Sequence, residues 1–170
     1  RAIDTPVSHV DLIATLLDLT GVRPKAPLRG HSLAPMANGT GGSHPGFTYS
    51  ETHSDGNYTG SFMIRKGDWK YIYFSGDKPL LFNLKLDPGE FNTVAGKQET
   101  AAIQRELHAT LRSLVNPDDV TRQAFAAQSR RLDALLRRMS KEEFYKFVVK
   151  RLGPGQSWVL TEQLYAKRRV

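Results

Sequence analysis

Between Ser8 and Thr20 the apolar residues Leu12, Ile13, Leu16, Leu17 and Leu19 recur at helical intervals and cover much of a helix's circumference. Ser8, with Asp11 three positions on, forms a capping-box-like pair, and Gly21 followed by Pro24 supplies the stop. The pattern predicts a helix over residues 8–20 that is largely buried. So apolar a helix needs cover on several sides, and much of that cover is expected to lie outside the chain given. Residues 22–46 then carry Pro24, Pro27, Pro35 and Pro45 with Gly30, Gly39, Gly41 and Gly42. They read as a long irregular connection with one helical turn around Ser32 to Met36.

The period then shortens to two. Phe47 to Glu51 is a candidate strand, and Ser61 to Lys66 and Trp69 to Phe74 are two more, joined by the two-residue link Gly67-Asp68 that suits a tight hairpin. Alternation puts Trp69, Tyr71 and Tyr73 on one face and Lys70, Ile72 and Phe74 on the other. A fourth short strand runs through Leu80 to Leu84, followed by the turn sequence Asp87-Pro88-Gly89-Glu90. An aromatic row on a sheet is able to stack nucleic-acid bases. Packing of a half-buried hairpin against a helix gives the same row, and is the reading adopted here.

From Gln98 the helical period returns, with Ile103, Leu107, Leu111, Leu114 and Val115 in one stripe. Asn116-Pro117-Asp118-Asp119 reads as the start of a further helix, whose Phe125, Leu132, Leu136 and Met139 form the buried side. Ser140 and Glu143 make a capping box for a last helix carrying Phe144, Phe147, Val148 and Leu152, ended by Gly153-Pro154. Trp158 to Val170 has no clear period. The expected fold class is α+β, a small antiparallel sheet of about four strands packed with three or four helices. Residues 1–115 are expected to form one subdomain and residues 116–170 a basic helical tail.

Composition changes this picture little. The 170 residues are 39% hydrophobic and 24% charged, as in ordinary globular proteins, and cysteine is absent. Without cysteine there is neither a disulfide framework nor a thiolate metal site. No apolar run approaches the ~18 residues that span a bilayer. The net charge of +7 is unevenly placed: residues 1–100 hold ten Lys and Arg against ten Asp and Glu, and residues 101–170 hold fourteen against seven. That asymmetry suits either a solvated helical surface or an acidic partner. The chain opens on Arg1 with no charged-then-apolar leader, so it is expected to be an excerpt of a longer protein or a processed product.

Four strings then occur in a telling order. Val7-Ser8-His9-Val10-Asp11-Leu12-Ile13-Ala14-Thr15-Leu16-Leu17-Asp18-Leu19-Thr20-Gly21 resembles the helix that sulfatases of the alkaline-phosphatase-like superfamily place after their catalytic core, with Ala14 where proline is frequent. Gly30-His31-Ser32-Leu33-Ala34-Pro35-Met36 resembles the segment that follows it there. Met63-Ile64-Arg65-Lys66-Gly67-Asp68-Trp69-Lys70-Tyr71-Ile72 resembles that family's hairpin, and Leu81-Phe82-Asn83-Leu84-Lys85-Leu86-Asp87-Pro88-Gly89-Glu90 its next strand and turn. The likeness covers roughly residues 5–115. The remainder resembles the tail of a bacterial subgroup only loosely.

The resemblance implies the C-terminal portion of an enzyme that hydrolyses sulfate esters. In that family a formylglycine nucleophile, made from Cys or Ser in a C/S-x-P-x-R motif, sits beside a divalent cation, usually calcium. Metal and cationic groups neutralise charge on the transferring group while a positioned acid protonates the leaving oxygen. Ser43-His44-Pro45-Gly46-Phe47 fails that motif, having Phe47 where arginine is required, and Ser54-Asp55-Gly56-Asn57 reads as a polar turn. No carboxylate cluster suits calcium. Calcium and formylglycine are therefore expected in the missing catalytic part, and this chain is expected to have neither a catalytic nor a metal-ligating residue and to be inactive alone.

One functional position remains. Ser50-Glu51-Thr52-His53 resembles a strand end that in some family members faces the active-site mouth, which implies His53 as a substrate-pocket residue with Glu51, Tyr58 and Arg65. A histidine satisfied by backbone in a turn is the competing reading. His9, His31, His44 and His108 lack metal-ligand spacing and receive no role. The expected partners are the missing N-terminal catalytic domain, a small sulfate-ester substrate of the intact enzyme and, as a further candidate, a second copy of the chain; a membrane is not among them. The alternative reading is a basic helical module that binds an acidic partner or nucleic acid.

Overall fold

The computed structural model describes residues 2–53 and 58–153, together with Thr161 and Leu164. The polar turn at 54–57 and most of the tail from Trp158 lie outside the described residues. The chain falls into two compact units, 1–121 and 122–170. No helix among the described residues is long and apolar enough to cross a membrane.

The first unit opens with helix α1, His9–Thr20. Its start is the capping box read from the sequence, with the Ser8 amide donating to Asp11 at 2.8 Å, and Gly21 closes it in the left-handed conformation at φ 66°. A short helix α2, Ala34–Asn38, lies in the irregular connection. Strands β1 (Phe47–Thr52), β2 (Ser61–Lys66), β3 (Trp69–Phe74) and β4 (Leu80–Asn83) form one antiparallel sheet in chain order. The β2–β3 hairpin pairs Lys66 with Trp69 across Gly67-Asp68, and Gly67 takes φ +54° as the first residue of a two-residue turn. The sheet is followed by α3, Ala101–Leu114, and the chain continues through α4, Pro117–Arg138, to α5, Lys141–Leu152.

Pairing register decides the core. Tyr49, Ile64, Tyr71 and Leu81 stand in one row across the sheet, and Glu51, Phe62 and Tyr73 in the next, all on one face. Against that face α3 sets Leu107 and Leu111, one turn apart; both are fully buried with Phe62, Ile64 and Leu81. Trp69, Tyr71 and Tyr73 thus serve helix packing, as the alternation implied.

In the second unit Leu136, Phe144 and Val148 form a small core with Leu132, Met139 and Leu164. The Ser140–Glu143 capping box is present in both directions. Two expected core positions are instead open to solvent: Phe125 is 37% exposed and Phe147 44%.

The larger departure is α1. Its buried residues are Asp11 and Ala14, whereas Leu12, Ile13, Leu16 and Leu19 are 51–66% exposed. At 100° per residue those four side chains fall within an arc of about 120°. The helix forms as expected, but its apolar face is bare because nothing in the described chain covers it. Full burial would contribute on the order of 1 kcal/mol for each of these half-covered side chains.

Two outcomes follow. Leu107→Ala should destabilise the first unit by about 2–5 kcal/mol, read as a lower denaturant midpoint with an unchanged slope. The 170-residue chain should show concentration-dependent association by sedimentation, abolished in Leu12→Asp/Leu16→Asp; a wild-type chain monomeric at high micromolar concentration would contradict this.

Candidate substrate-facing end of the sheet

Chain direction brings the end of β1, the start of β2 and the end of β3 to one edge. Tyr49, Glu51 and His53 alternate onto the same face. The Tyr49 hydroxyl donates to the Glu51 carboxylate, and burial, then that carboxylate, raises the phenol above its ordinary range, so it remains a donor. Glu51 Oε1 lies 3.8 Å from His53 Nε2, and the His53 ring meets Phe62 edge-on with centroids 5.2 Å apart. The imidazole is mostly covered, its side chain only 17% exposed. It presses on Gly60: a Cβ there would stand 2.9 Å from His53 Nδ1 and 2.2 Å from Thr121 Oγ1, so any larger residue would displace one or both side chains.

The loop beyond is tied to the β3 end. Thr59 Oγ1 donates to the Ser75 carbonyl at 2.7 Å, and the Ser75 amide to the Gly60 carbonyl at 3.0 Å. Tyr58 is 72% exposed and its hydroxyl donates to the Asp77 carboxylate. Asp118, in the first turn of α4, accepts from Tyr73 Oη at 2.9 Å and Ser75 Oγ at 2.7 Å, with Arg112 Nη1 3.3 Å from its other oxygen. The Ser75 hydrogen bond leads these in holding the Asp118 carboxyl below the ordinary aspartate range.

Of the residues expected in a substrate pocket, His53 and Glu51 are therefore adjacent, and Tyr58 belongs to the loop at the same end of the sheet. Arg65 stands apart. It pairs with Thr48 and Lys70 near the hairpin, on the face opposite Phe62, three residues or roughly 10 Å farther along β2. Gly60, Thr121 and Asp118 were not singled out as site residues, because each matters only through a neighbour distant in sequence.

A second polar centre lies under α1. Asp11 is 3% exposed and accepts from the Ser8 amide at 2.8 Å and the His31 amide at 2.9 Å, with His44 Nε2 3.4 Å away. His44 Nδ1 accepts from the Gly46 amide at 3.1 Å, so Nε2 is left to face Asp11 as a donor. Both ring nitrogens are engaged, and the pair fastens the irregular connection to α1. Burial pushes the Asp11 carboxyl up, but the two amides and His44 outweigh it and hold the group below 3.8.

Among the described residues no three His, Cys, Asp or Glu side chains converge as metal ligands, and His44, within the one near match to the nucleophile motif, is committed to Asp11 and Gly46.

The family model of N-sulphoglucosamine sulphohydrolase, C-terminal, matches residues 1–117. The chain is 34% identical over 127 residues to arylsulfatase K of Danio rerio, covering 71% of this chain and 24% of that protein. A solved 2-O GAG sulfatase superposes with a TM-score of 0.57 at 31% identity, over 73% of this chain and 27% of its own. A solved structure in complex with its substrate D-glucosamine-2-N,6-O-disulfate gives 0.54 at 28% identity, over 64% of this chain and 25% of its own. The chain thus spans about a quarter of the length of the relatives it matches.

Replacing Asp11 by Asn should lower stability at neutral pH by about 1–3 kcal/mol, since buried amides and an imidazole lose an anionic acceptor. Because the folded-state value is depressed, this stabilisation is present above 3.8 and lost as pH falls through the folded value. The gap between wild type and Asn variant should therefore close below about pH 3.8 in acid-unfolding titrations. A constant gap across that window would refute the assignment.

Proposed function

Because the chain belongs to the sulfatase C-terminal family represented by N-sulphoglucosamine sulphohydrolase, we propose that it is the C-terminal piece of an enzyme that hydrolyses sulfate esters. In this reading it buttresses a catalytic body formed by other residues and borders that body's substrate pocket. The nucleophile and the calcium belong to that body. The observation that carries the reading is the bare apolar arc of Leu12, Ile13, Leu16 and Leu19 on an otherwise well-capped helix. Such an arc on a folded chain calls for a matching surface.

The pocket border is the sheet end that carries His53, Glu51 and Tyr58. Glu51, the more exposed of the two, stands at the mouth with its carboxylate beside the imidazole, and the missing side chain at Gly60 leaves room for the edge of the His53 ring. The substrate is a sulfated sugar, a class supported by relatives whose structures are those of a 2-O GAG sulfatase and of a complex with a disulfated glucosamine. Arg65, on the other face, is left out of the pocket.

In the intact enzyme, His53→Ala should lower kcat/KM for a sulfated sugar by about tenfold or more, the loss expected for a hydrogen bond to a charged group. Arg65→Ala should stay within about threefold of wild type, as expected for an exposed side chain away from the site. Unchanged turnover and affinity in His53→Ala would remove the pocket assignment. Aryl-sulfate hydrolysis by the 170-residue chain alone would overturn the division of labour.

A further inference from the structure

The charge surplus has a definite address. Residues 122–170 hold twelve Lys and Arg against four Asp and Glu, a surplus of eight, whereas residues 1–121 hold twelve against thirteen. On α4, Arg130, Arg131, Arg137 and Arg138 are all exposed. Spaced one, seven and eight residues apart, they form two columns on one helix face around Ala134, with about 10 Å between successive turns of arginine. Leu132, Leu136 and Met139 occupy the opposite face and pack on Phe144 and Val148 of α5, so the arginines are held outward. None of the four makes an ion pair or side-chain hydrogen bond among the described residues; Asp133, exposed at one edge, is the only carboxylate between Asp119 and Glu142.

A merely solvated helix face interleaves both signs, since like charges without counter-charges repel. The negative helix terminus accounts for Arg137 and Arg138 in the last turn, but not for Arg130 and Arg131 two turns earlier. All four are arginine, whose planar fork binds tetrahedral oxyanions in pairs of hydrogen bonds, as a lysine does not.

We infer that this arginine face binds a polysulfated polysaccharide, holding sulfate groups other than the one to be cleaved. The choice of ligand rests on the proposed sulfated-sugar substrate. Charge complementarity selects it: a chain bearing a fixed negative charge at each sulfate matches an unpaired row of fixed positive ones. Attraction between exposed opposite charges is screened by salt, so binding weakens as ionic strength rises.

Binding of the full 170-residue chain to immobilised heparin, to its desulfated counterpart and to duplex DNA of equal charge, across a salt series, tests this directly. Heparin should bind best and the desulfated chain at least tenfold more weakly. R130Q/R131Q/R137Q/R138Q should lose at least about tenfold and flatten the salt dependence by roughly one unit per arginine. The corresponding all-lysine variant should keep the salt slope while binding a few-fold more weakly. Far-UV circular dichroism of the variants reports whether α4 is retained. Unchanged heparin binding by the glutamine variant overturns the inference, as does tighter binding of DNA than of heparin, which would mark a nucleic-acid face. The pocket assignment is read from turnover of the intact enzyme and the arginine face from heparin binding by the glutamine variant, so failure of one is separable from failure of the other.

Discussion

Leu107 and Leu111 enter the sheet face made by Phe62, Ile64, Tyr71 and Leu81, and the sheet, α3 and the start of α4 are positioned by that contact. It fixes which face of each strand is inward, because a slip of one residue would turn every core side chain to solvent. It brings His108 of α3 to Tyr71, whose hydroxyl lies 3.1 Å from the imidazole Nδ1 and whose phenol burial pushes up to about 12. It also delivers the chain to Pro117 at the sheet edge, where Asp118 takes the hydroxyls of Tyr73 and Ser75. The candidate site is thus a by-product of register: β1 ends beside β2's beginning, and the α4 start closes over that corner.

Polar groups in this unit act mainly as fasteners between segments that have little apolar surface of their own. Asp11 is the clearest case. A proline- and glycine-rich connection cannot bury enough to hold itself down, and two of its residues, His31 and His44, are instead bound to one carboxylate on α1. The cost of burying that charge is offset by donors from three directions. Gly30 completes the arrangement by backbone contact: a Cβ there would stand 2.1 Å from the Val10 carbonyl oxygen. On α1, then, the side that touches this chain is polar and small, and the side turned away from it is apolar.

That inversion separates the two units in kind. The first is a partial interior, complete on the α3 side and bare along α1. In the second, the described helices α4 and α5 bring Leu136, Phe144 and Val148 together, and α4 turns Arg130, Arg131, Arg137 and Arg138 to solvent.

Periodicity alone determined the elements, the central hairpin and most of the core, because helical and strand repeats, capping pairs and the Gly67-Asp68 link are local properties. The order of four such strings also placed the chain in its family, and the burial pattern of Leu12 to Leu19 already required an outside surface. Pattern could not say which side of α1 the chain itself would cover, nor that Phe125 and Phe147 would stay open, since an apolar residue carries no mark of what it will meet. Nor could it separate Arg65 from His53: both were legible as polar residues near a sheet, and only the pairing register put one on each face. Gly60, Thr121 and the Asp11–His44 pair were invisible for the same reason. Their meaning is a distance of a few ångströms between residues far apart in sequence, and only tertiary packing sets such distances.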